Sequence, residues 1–175
     1  MSADRLSPQG FEDAVAAAYW HRNRDDMAPT IAAFADLAVA HPNHGPASFE
    51  LANALDAGGE EARAERHYRH ALDLGLAGDR YRRCVVQLAG TLTALGRPDE
   101  ALAVLADARA DHPQWPEVGV FAAIALHRAG RTDQAFSELL RTFAEHHGRD
   151  DLNRYRAAWT ETADTLGHRT GGDQA

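Results

Sequence analysis

The stretch LGRPDEAL, residues 95–102, decides the fold because a near copy of it, AGRTDQAF, begins at Ala129. A third and weaker copy, AGGEEARA, begins at Ala57. Aligned on their glycines, Gly59, Gly96 and Gly130, the copies recur at intervals of 37 and 34 residues. Sequence similarity at a period of roughly 20 to 50 residues is typical of chains built from stacked repeats. The sequence therefore predicts a repeat protein.

Glycine and proline occupy the places where a helix-turn-helix unit needs them. Each repeated glycine follows an alanine- and leucine-rich stretch, where a left-handed residue can end one helix and let the chain reverse. Pro42 and Pro113 follow the second helical stretch of their units, and proline stops a helix because it cannot donate the next hydrogen bond. These signals predict pairs of helices joined by short turns.

The apolar residues between these turns recur at helical spacing, with alanines that let two helices approach and a larger residue one turn away. The first helices of the pairs carry Leu51, Ala52 and Leu55, then Leu88, Ala89 and Leu92, then Ala122, Ala123 and Leu126. The second helices carry Ala64, Tyr68 and Ala71, then Ala101, Leu105 and Ala108, then Ala135, Leu139 and Thr142. A divergent first pair carries Ala17, Ala18 and His21 before Thr30, Phe34 and Leu37. One pair cannot bury its own apolar face, so neighbouring pairs must supply the core.

The strings LANAL, LAGTL and AAIAL, each followed by an alanine and a large residue four positions on, resemble the tetratricopeptide repeat. The resemblance covers about residues 11–148. Within that family, the chain is most similar to the small bacterial proteins of group 5. The early tryptophan of the repeat is missing and alanine replaces its small glycine. The resemblance implies an all-α solenoid of about four antiparallel repeats with a C-terminal capping helix, a helical binding scaffold and no known reaction.

The predicted boundaries form a single tetratricopeptide-repeat domain over 11–166, between a flexible N-terminus (1–10) and a disordered tail (167–175). The repeats are expected at about 11–43, 45–78, 79–114 and 116–148, with the capping helix at 150–166. Three extra residues precede the third repeat, where Asp79 is a candidate N-cap. Tyr155 and Trp159 of the capping helix are expected to be core contacts.

Composition and charge narrow the class of partner. The net charge is −8 and all eighteen basic residues are arginine, so the chain is a poor candidate for coating nucleic-acid phosphates. The longest apolar run, VGVFAAIAL at 118–126, is half the length that a membrane helix needs. The first residues are acidic and lack the apolar segment of a signal peptide. We expect no nucleic acid, no membrane and a cytoplasmic location.

No catalytic or metal-binding motif is recognised in the sequence. His67 and His70 are three residues apart on a predicted helix, but no carboxylate or cysteine accompanies them at ligand spacing. Cys84 is expected to be a buried small residue, although the nearby Arg82 and Arg83 leave a reactive thiol as the alternative. Nucleotide-binding and serine-hydrolase motifs are absent. We expect no enzymatic activity, no cofactor and no metal.

The resemblance also implies a groove lined by the first helix of each repeat. Asn53 matches a position where the family often has asparagine, whose amide can bind a peptide backbone regardless of sequence. The family's lysine-based clamp for a C-terminal carboxylate is not expected, because the chain has no lysine. Carried over position by position, the predicted groove residues are Tyr19, Arg22, Phe49, Asn53, Asp56, Arg83, Gln87, Phe121 and His127.

These observations favour a scaffold that binds a protein, as a peptide or helix, in the groove. Two alternatives stay open at this point. One is a module that responds to a metal or small ligand through its histidines and the arginines at 80–83. The other is a structural homo-oligomer in which another copy of the chain fills the groove or covers the end of the domain.

Overall fold

The computed structural model describes residues 7–168, and within that range all regular elements are helices. The predicted all-α class is therefore confirmed. The α-helices are α1 (Pro8–Trp20), α2 (Ala28–Ala40), α3 (Gly45–Ala57), α4 (Glu61–Asp73), α5 (Gly78–Ala94), α6 (Pro98–Asp111), α7 (Pro116–Arg128), α8 (Thr132–His146) and α9 (Arg156–Gly167), and a 3₁₀ helix, Asp150–Tyr155, precedes α9. The pairs α1/α2 to α7/α8 match the four predicted repeats.

The chain divides into two compact units between Thr91 and Leu92, within α5. In the N-terminal unit α2 packs against both α1 and α3, and α3 packs against α4. In the C-terminal unit α7 packs against both α6 and α8, and α9 packs on α8. The expectation of a single domain over 11–166 stays a prediction.

The turns within the repeats are the predicted glycine turns. Gly59, Gly96 and Gly130 share a φ of 76°, a left-handed conformation that a side chain would strain. The residue after each glycine donates its backbone N–H to a carbonyl five residues earlier, as Arg97 does to Leu92 at 2.9 Å. This hydrogen bond satisfies a carbonyl at the helix end, so each glycine both ends a helix and starts the reversal.

The core follows the predicted pattern in the second and third repeats and departs from it at both ends. Tyr68, Leu92 and Leu105 are buried with the alanines that surround them. In the first repeat the prediction for α1 is wrong, because Ala17 and His21 are exposed. The buried α1 residues are Phe11 and Val15.

In the fourth repeat the prediction for Leu139 is wrong, because this side chain is 44% exposed. Ala135 and Thr142, predicted with it, are buried. Thr142 lies against Gly119 of α7, so the contact with α7 covers part of this face and leaves Leu139 exposed.

The predicted ends of the domain also need correction. Helix α1 begins at Pro8, where the Ser7 hydroxyl accepts a hydrogen bond from the backbone N–H of Gly10, so residues 8–10 are helical rather than flexible. Residues 1–6 and 169–175 of the two predicted flexible segments lie outside the described residues. Asp79 is not an N-cap but a first-turn residue of α5, paired with Arg82 at 2.8 Å.

The capping helix is shorter than predicted, because a 3₁₀ helix occupies 150–155 and α9 begins at Arg156. Tyr155, at the junction, is 47% exposed, so its predicted core position is wrong. Trp159 is half-buried and packs against Phe143, with ring centroids 5.1 Å apart.

Candidate functional site

A cavity of about 500 Å³ opens in the N-terminal unit between α1, α3 and α5. Six of the nine predicted groove residues line it: Tyr19, Arg22, Asn53, Asp56, Arg83 and Gln87. Arg24 and Met27, from the loop after α1, complete the polar and apolar lining. The repeat spacing therefore brings together side chains that are up to 68 residues apart in the sequence.

Asn53 occupies the centre of the polar network in this cavity. Its Oδ1 accepts a hydrogen bond of 2.9 Å from the hydroxyl of the buried Tyr68. Its Nδ2 is buried and makes no hydrogen bond of normal geometry. A buried amide that donates no hydrogen bond costs about 1–3 kcal/mol. Asn53 thus has its acceptor occupied within the protein, and the Tyr19 hydroxyl is the neighbour that competes with a ligand for its donors.

Tyr19 connects the cavity to a buried carboxylate. Its hydroxyl donates a 2.6 Å hydrogen bond to Oε2 of Glu50, and its ring packs against the buried Phe34 with centroids 5.1 Å apart. Burial raises the pKa of Tyr19, the negative charge of Glu50 raises it further, and the neighbouring Asn53 amide acts in the opposite direction. Tyr19 is therefore protonated and held in place as a donor.

Three arginines, one from α5 and two from the loop after α1, bring positive charge to the cavity. The guanidinium of Arg83 lies over the Phe49 ring, 5.4 Å from its centroid, and that of Arg22 lies at the same distance over the Tyr19 ring. Such contacts orient a guanidinium without neutralising it. Together with Arg24 they outnumber the one carboxylate of the lining, Asp56, so the cavity is basic in a chain whose net charge is −8.

Asp56 is held in place by its surroundings. Burial raises the pKa of Asp56, although the Thr91 hydroxyl, which donates to its Oδ1 at 2.9 Å, acts in the opposite direction. The Thr91 hydroxyl also contacts the Gln87 carbonyl at 2.9 Å. These contacts fix one side of the cavity floor between α3 and α5.

Phe49 does not have the predicted role. A residue that lines the groove would be accessible to a partner, but Phe49 is fully buried, with its ring 6.2 Å from that of Tyr68. Arg83 covers its remaining face. Phe49 therefore belongs to the core and orients Arg83 instead of meeting a ligand.

Phe121 and His127, both on α7, are not among the residues that line this cavity. Phe121 is half-buried and His127 is exposed. Their role in binding stays a prediction.

Sequence reasoning missed Glu50, the buried carboxylate that organises the cavity wall. Only 2% of Glu50 is exposed, and besides Tyr19 it binds Arg80, whose Nε donates to Oε1 at 2.9 Å. Arg80 also makes two hydrogen bonds to the Glu12 carboxylate, at 2.9 and 2.7 Å. The signal was the helical position of Glu50, between Ala47 and Ala54 on the buried face of α3. An acid on such a face needs a partner.

The structure shows the surroundings of Cys84 and His67, the residues considered above for thiol and metal chemistry. Cys84 is fully buried, and burial raises its pKa to about 12, so the thiol is protonated at neutral pH. His67 is half-buried next to the Ser48 hydroxyl, 3.5 Å away, and burial lowers its pKa. Within residues 7–168, no group of three or more His, Cys, Asp or Glu side chains is arranged to hold a metal ion. None of the helices in that range is both long and apolar enough to cross a membrane.

Comparison with known proteins adds one finding. The family model described as Tetratrico peptide repeat, of group 5, matches residues 45–166, which is more than two thirds of the chain. No curated protein matches the chain. The matched region begins at α3 and ends within α9, so it contains three predicted repeats and the capping helix.

Proposed function

The chain belongs to the tetratricopeptide repeat family, and we propose that it is a non-enzymatic scaffold that binds an extended, acidic peptide segment in the cavity of the N-terminal unit. Repeats of this family generally mediate protein interactions and are generally not enzymes. The peptide, its charge and the cavity are the new elements of this proposal.

The observation that carries the proposal is Asn53, which lines the cavity and whose buried Nδ2 has no acceptor of normal geometry, with the Tyr19 hydroxyl oxygen as a weaker neighbour. A backbone carbonyl of a bound peptide would supply that acceptor and remove the cost of the unsatisfied donor. Because Tyr68 already occupies Oδ1, the amide meets a ligand as a donor. Every peptide bond offers such a carbonyl, so this contact gives affinity without sequence preference.

The charge of the cavity supports an acidic partner. Arg22, Arg24 and Arg83 line it, and the pKa of the only lining carboxylate, Asp56, is raised by burial. Guanidinium groups bind carboxylates through paired hydrogen bonds, which are stronger than those between neutral groups. Selectivity for Asp and Glu side chains would then come from the arginines, and register from Asn53 and Gln87.

The test uses two pools of fluorescein-labelled peptides of equal length, one rich in Asp and Glu and the other rich in Lys and Arg. Fluorescence anisotropy should show binding of the acidic pool only. Asn53→Ala and Arg83→Glu should each weaken it about tenfold or more, which corresponds to ~1.4 kcal/mol. Arg83→Glu should change the melting temperature little, because it removes no core packing. Asn53→Ala should lower it, because the buried Tyr68 hydroxyl loses its acceptor, so binding of this variant is measured well below its melting transition.

Arg66→Glu provides the matched control, since it makes the same charge reversal on an exposed residue of α4. Its binding should equal that of the parent chain. The proposal is wrong if the acidic pool does not bind, or if Arg66→Glu abolishes binding while both cavity variants retain it.

A further inference from the structure

Helix α8 exposes an apolar stripe that the cavity of the N-terminal unit does not use. Phe136, Leu139 and Phe143 are 52%, 44% and 45% exposed, and Leu140 between them is half-buried. Their spacing of three and four residues places them along one side of the helix. Single exposed apolar residues are ordinary, but a continuous stripe with two phenylalanines indicates a contact surface.

The neighbouring helices pack on either side of this stripe and leave it open. On one side Thr142 lies against Gly119 of α7. On the other side the Ser137 hydroxyl donates a 2.6 Å hydrogen bond to the Ala163 carbonyl of α9, and Arg141 pairs with Asp164 at 3.0 Å. Helix α9 also extends the apolar surface, because its Trp159 ring lies 5.1 Å from that of Phe143.

The order of residues in the stripe is the same in both directions. Residues 136–143 read FSELLRTF, that is Phe-x-x-Leu-Leu-x-x-Phe, symmetric about the midpoint between the two leucines. A two-fold axis at that midpoint would pack α8 antiparallel to α8 of a second copy. Each Phe136 would then meet the Phe143 of the other copy, and the four leucines would surround the axis. A two-fold interface requires this kind of self-complementary surface.

The charges at the ends of α8 agree with the same antiparallel register. Asp133 lies in the first turn, and His146 lies in the last turn with His147 directly after it. In the two-fold arrangement Asp133 of one helix lies beside His146 of the other, although Glu145 adds a carboxylate at the same end. The helix dipoles are also opposed, which favours the antiparallel pairing.

We propose that this chain forms a two-fold homodimer through the α8 stripe, with Phe136, Leu139, Leu140 and Phe143 of both copies at its centre. Stable interfaces bury roughly 1,600 Å² in total. The four stripe residues alone are too few for an interface of this size. The proposed interface therefore also includes Trp159 and Tyr155, and Tyr155 is 47% exposed. The dimer places the cavities of both N-terminal units in one assembly, so a partner with two acidic segments would bind with increased avidity.

The first experiment is sedimentation velocity on the full chain between about 1 and about 100 μM, the range over which a micromolar dimer dissociates. The parent should change from monomer to dimer across this range. Phe136→Glu and Phe143→Glu should each raise the dissociation constant at least ~100-fold, because each dimer would bury two unpaired charges. Circular dichroism should show unchanged helix content, since both rings are half exposed in the monomer.

Val39→Glu and Ile124→Glu are the controls. Val39 of α2 is 81% exposed and Ile124 of α7 is 48% exposed, so each tests loss of an exposed apolar side chain outside the stripe. Both variants should dimerise as the parent does. A parent that stays monomeric at all concentrations overturns the proposal, as does a dimer that survives both phenylalanine changes or dissociates in Ile124→Glu.

A second experiment does not depend on disrupting the surface. In a Cys84→Ala background, Leu139→Cys places a thiol of each copy near the same thiol of the other copy at the two-fold axis. Oxidation should then link the two chains. Val39→Cys in the same background should stay monomeric under the same oxidant. Absence of the Leu139→Cys cross-link in a chain that sediments as a dimer overturns the assignment of the axis. Because peptide binding is tested in the N-terminal unit, failure of either proposal can be recognised separately.

Discussion

The two units of the chain contain the same repeat but differ in the polar groups that they bury and in the apolar residues that they expose. The N-terminal unit buries a carboxylate, Glu50, and satisfies it with Tyr19 and Arg80. The buried polar residues of the C-terminal unit are hydroxyls, such as Ser137 and Thr142, which donate to helix carbonyls. The large exposed apolar residues are distributed the opposite way: among residues 7–168, two lie in the N-terminal unit and six in the C-terminal unit.

This difference shows how little of the surface the repeat itself determines. The alanine and leucine positions fix how the helices of a pair approach, and they are occupied similarly in both units. The remaining positions are unconstrained by that packing, so one unit can present a basic cavity and the other an apolar stripe. A single repeat architecture can thus carry two separate interaction surfaces.

The largest expected effect comes from breaking the buried ion pair of the N-terminal unit. Arg80→Ala leaves Glu50, which is 2% exposed, with Tyr19 as its remaining partner. Removing one member of a buried ion pair costs about 3–5 kcal/mol, because the other charge stays buried. Arg80 is 25% exposed and Glu50 keeps its hydrogen bond from Tyr19, so we expect the lower end of that range. Urea denaturation monitored by circular dichroism should show this loss in the free energy of unfolding.

The matched change in the C-terminal unit is Arg109→Ala. Arg109 pairs with Glu138, but its side chain is 44% exposed, and exposed ion pairs contribute about 0–1 kcal/mol. A similar loss in both variants would show that the two units do not differ in how they use charge.

A smaller effect is expected where α7 and α8 approach most closely. A Cβ added at Gly119 would lie 1.9 Å from the Thr142 hydroxyl oxygen and 3.0 Å from its Cβ. Gly119→Ala should therefore cost about 1–3 kcal/mol in unfolding free energy, as overpacked cores do. Adding Thr142→Ala, which removes the nearest atom, should recover part of that loss in the same denaturation experiment.

Gly58→Ala is the comparison in the N-terminal unit. There the new Cβ would lie 2.9 Å from the Ile31 Cδ1, the end of a flexible side chain that can move. Its φ of −89° suits alanine. We expect an effect near zero, and a loss equal to that of Gly119→Ala would contradict the view that the α7–α8 contact depends on a missing side chain.

The sequence was sufficient for the fold because each prediction rested on a local requirement. Gly59, Gly96 and Gly130 stand where the backbone is left-handed, and nearly any other residue would be strained there. Ala101 and Leu105 are buried because the helical period alone places them on the face between neighbours. Such requirements recur in every repeat, so each repeat provides independent evidence for the others.

The surface was predicted less well, because exposure depends on which helix packs over a given residue. Phe49 occupies a groove position of the repeat, but Tyr68 and Arg83 from two other helices cover its ring. Leu139 occupies a core position of the repeat, but α9 packs on the Ser137 side of α8 and leaves the leucine open. Asn53 was predicted from the family resemblance, because it matches a position where the repeat often has asparagine, and that signal needs no knowledge of neighbouring helices.

The smallest expected effect is a response to acid that originates in the N-terminal unit. His44 packs edge-on against the buried Phe11, with ring centroids 4.6 Å apart, and its Nδ1 is buried without a hydrogen bond. Burial lowers the pKa of His44, and the neighbouring His41 and Arg80 lower it further, whereas Glu12 acts in the opposite direction.

A lowered pKa means that the folded chain favours the neutral imidazole. The resulting stability is present above the ordinary histidine pKa of about 6.5 and is lost as the pH falls through the folded value. The melting temperature of the parent should therefore decrease between about pH 8 and about pH 5, and that of His44→Gln should decrease less.

His67, whose pKa burial also lowers, is unchanged in this variant, so part of the response should persist. His127→Gln, at an exposed position of the C-terminal unit, should follow the parent. A parent whose melting temperature is constant or rises over this range would show that the Phe11–His44 contact does not depend on a neutral imidazole.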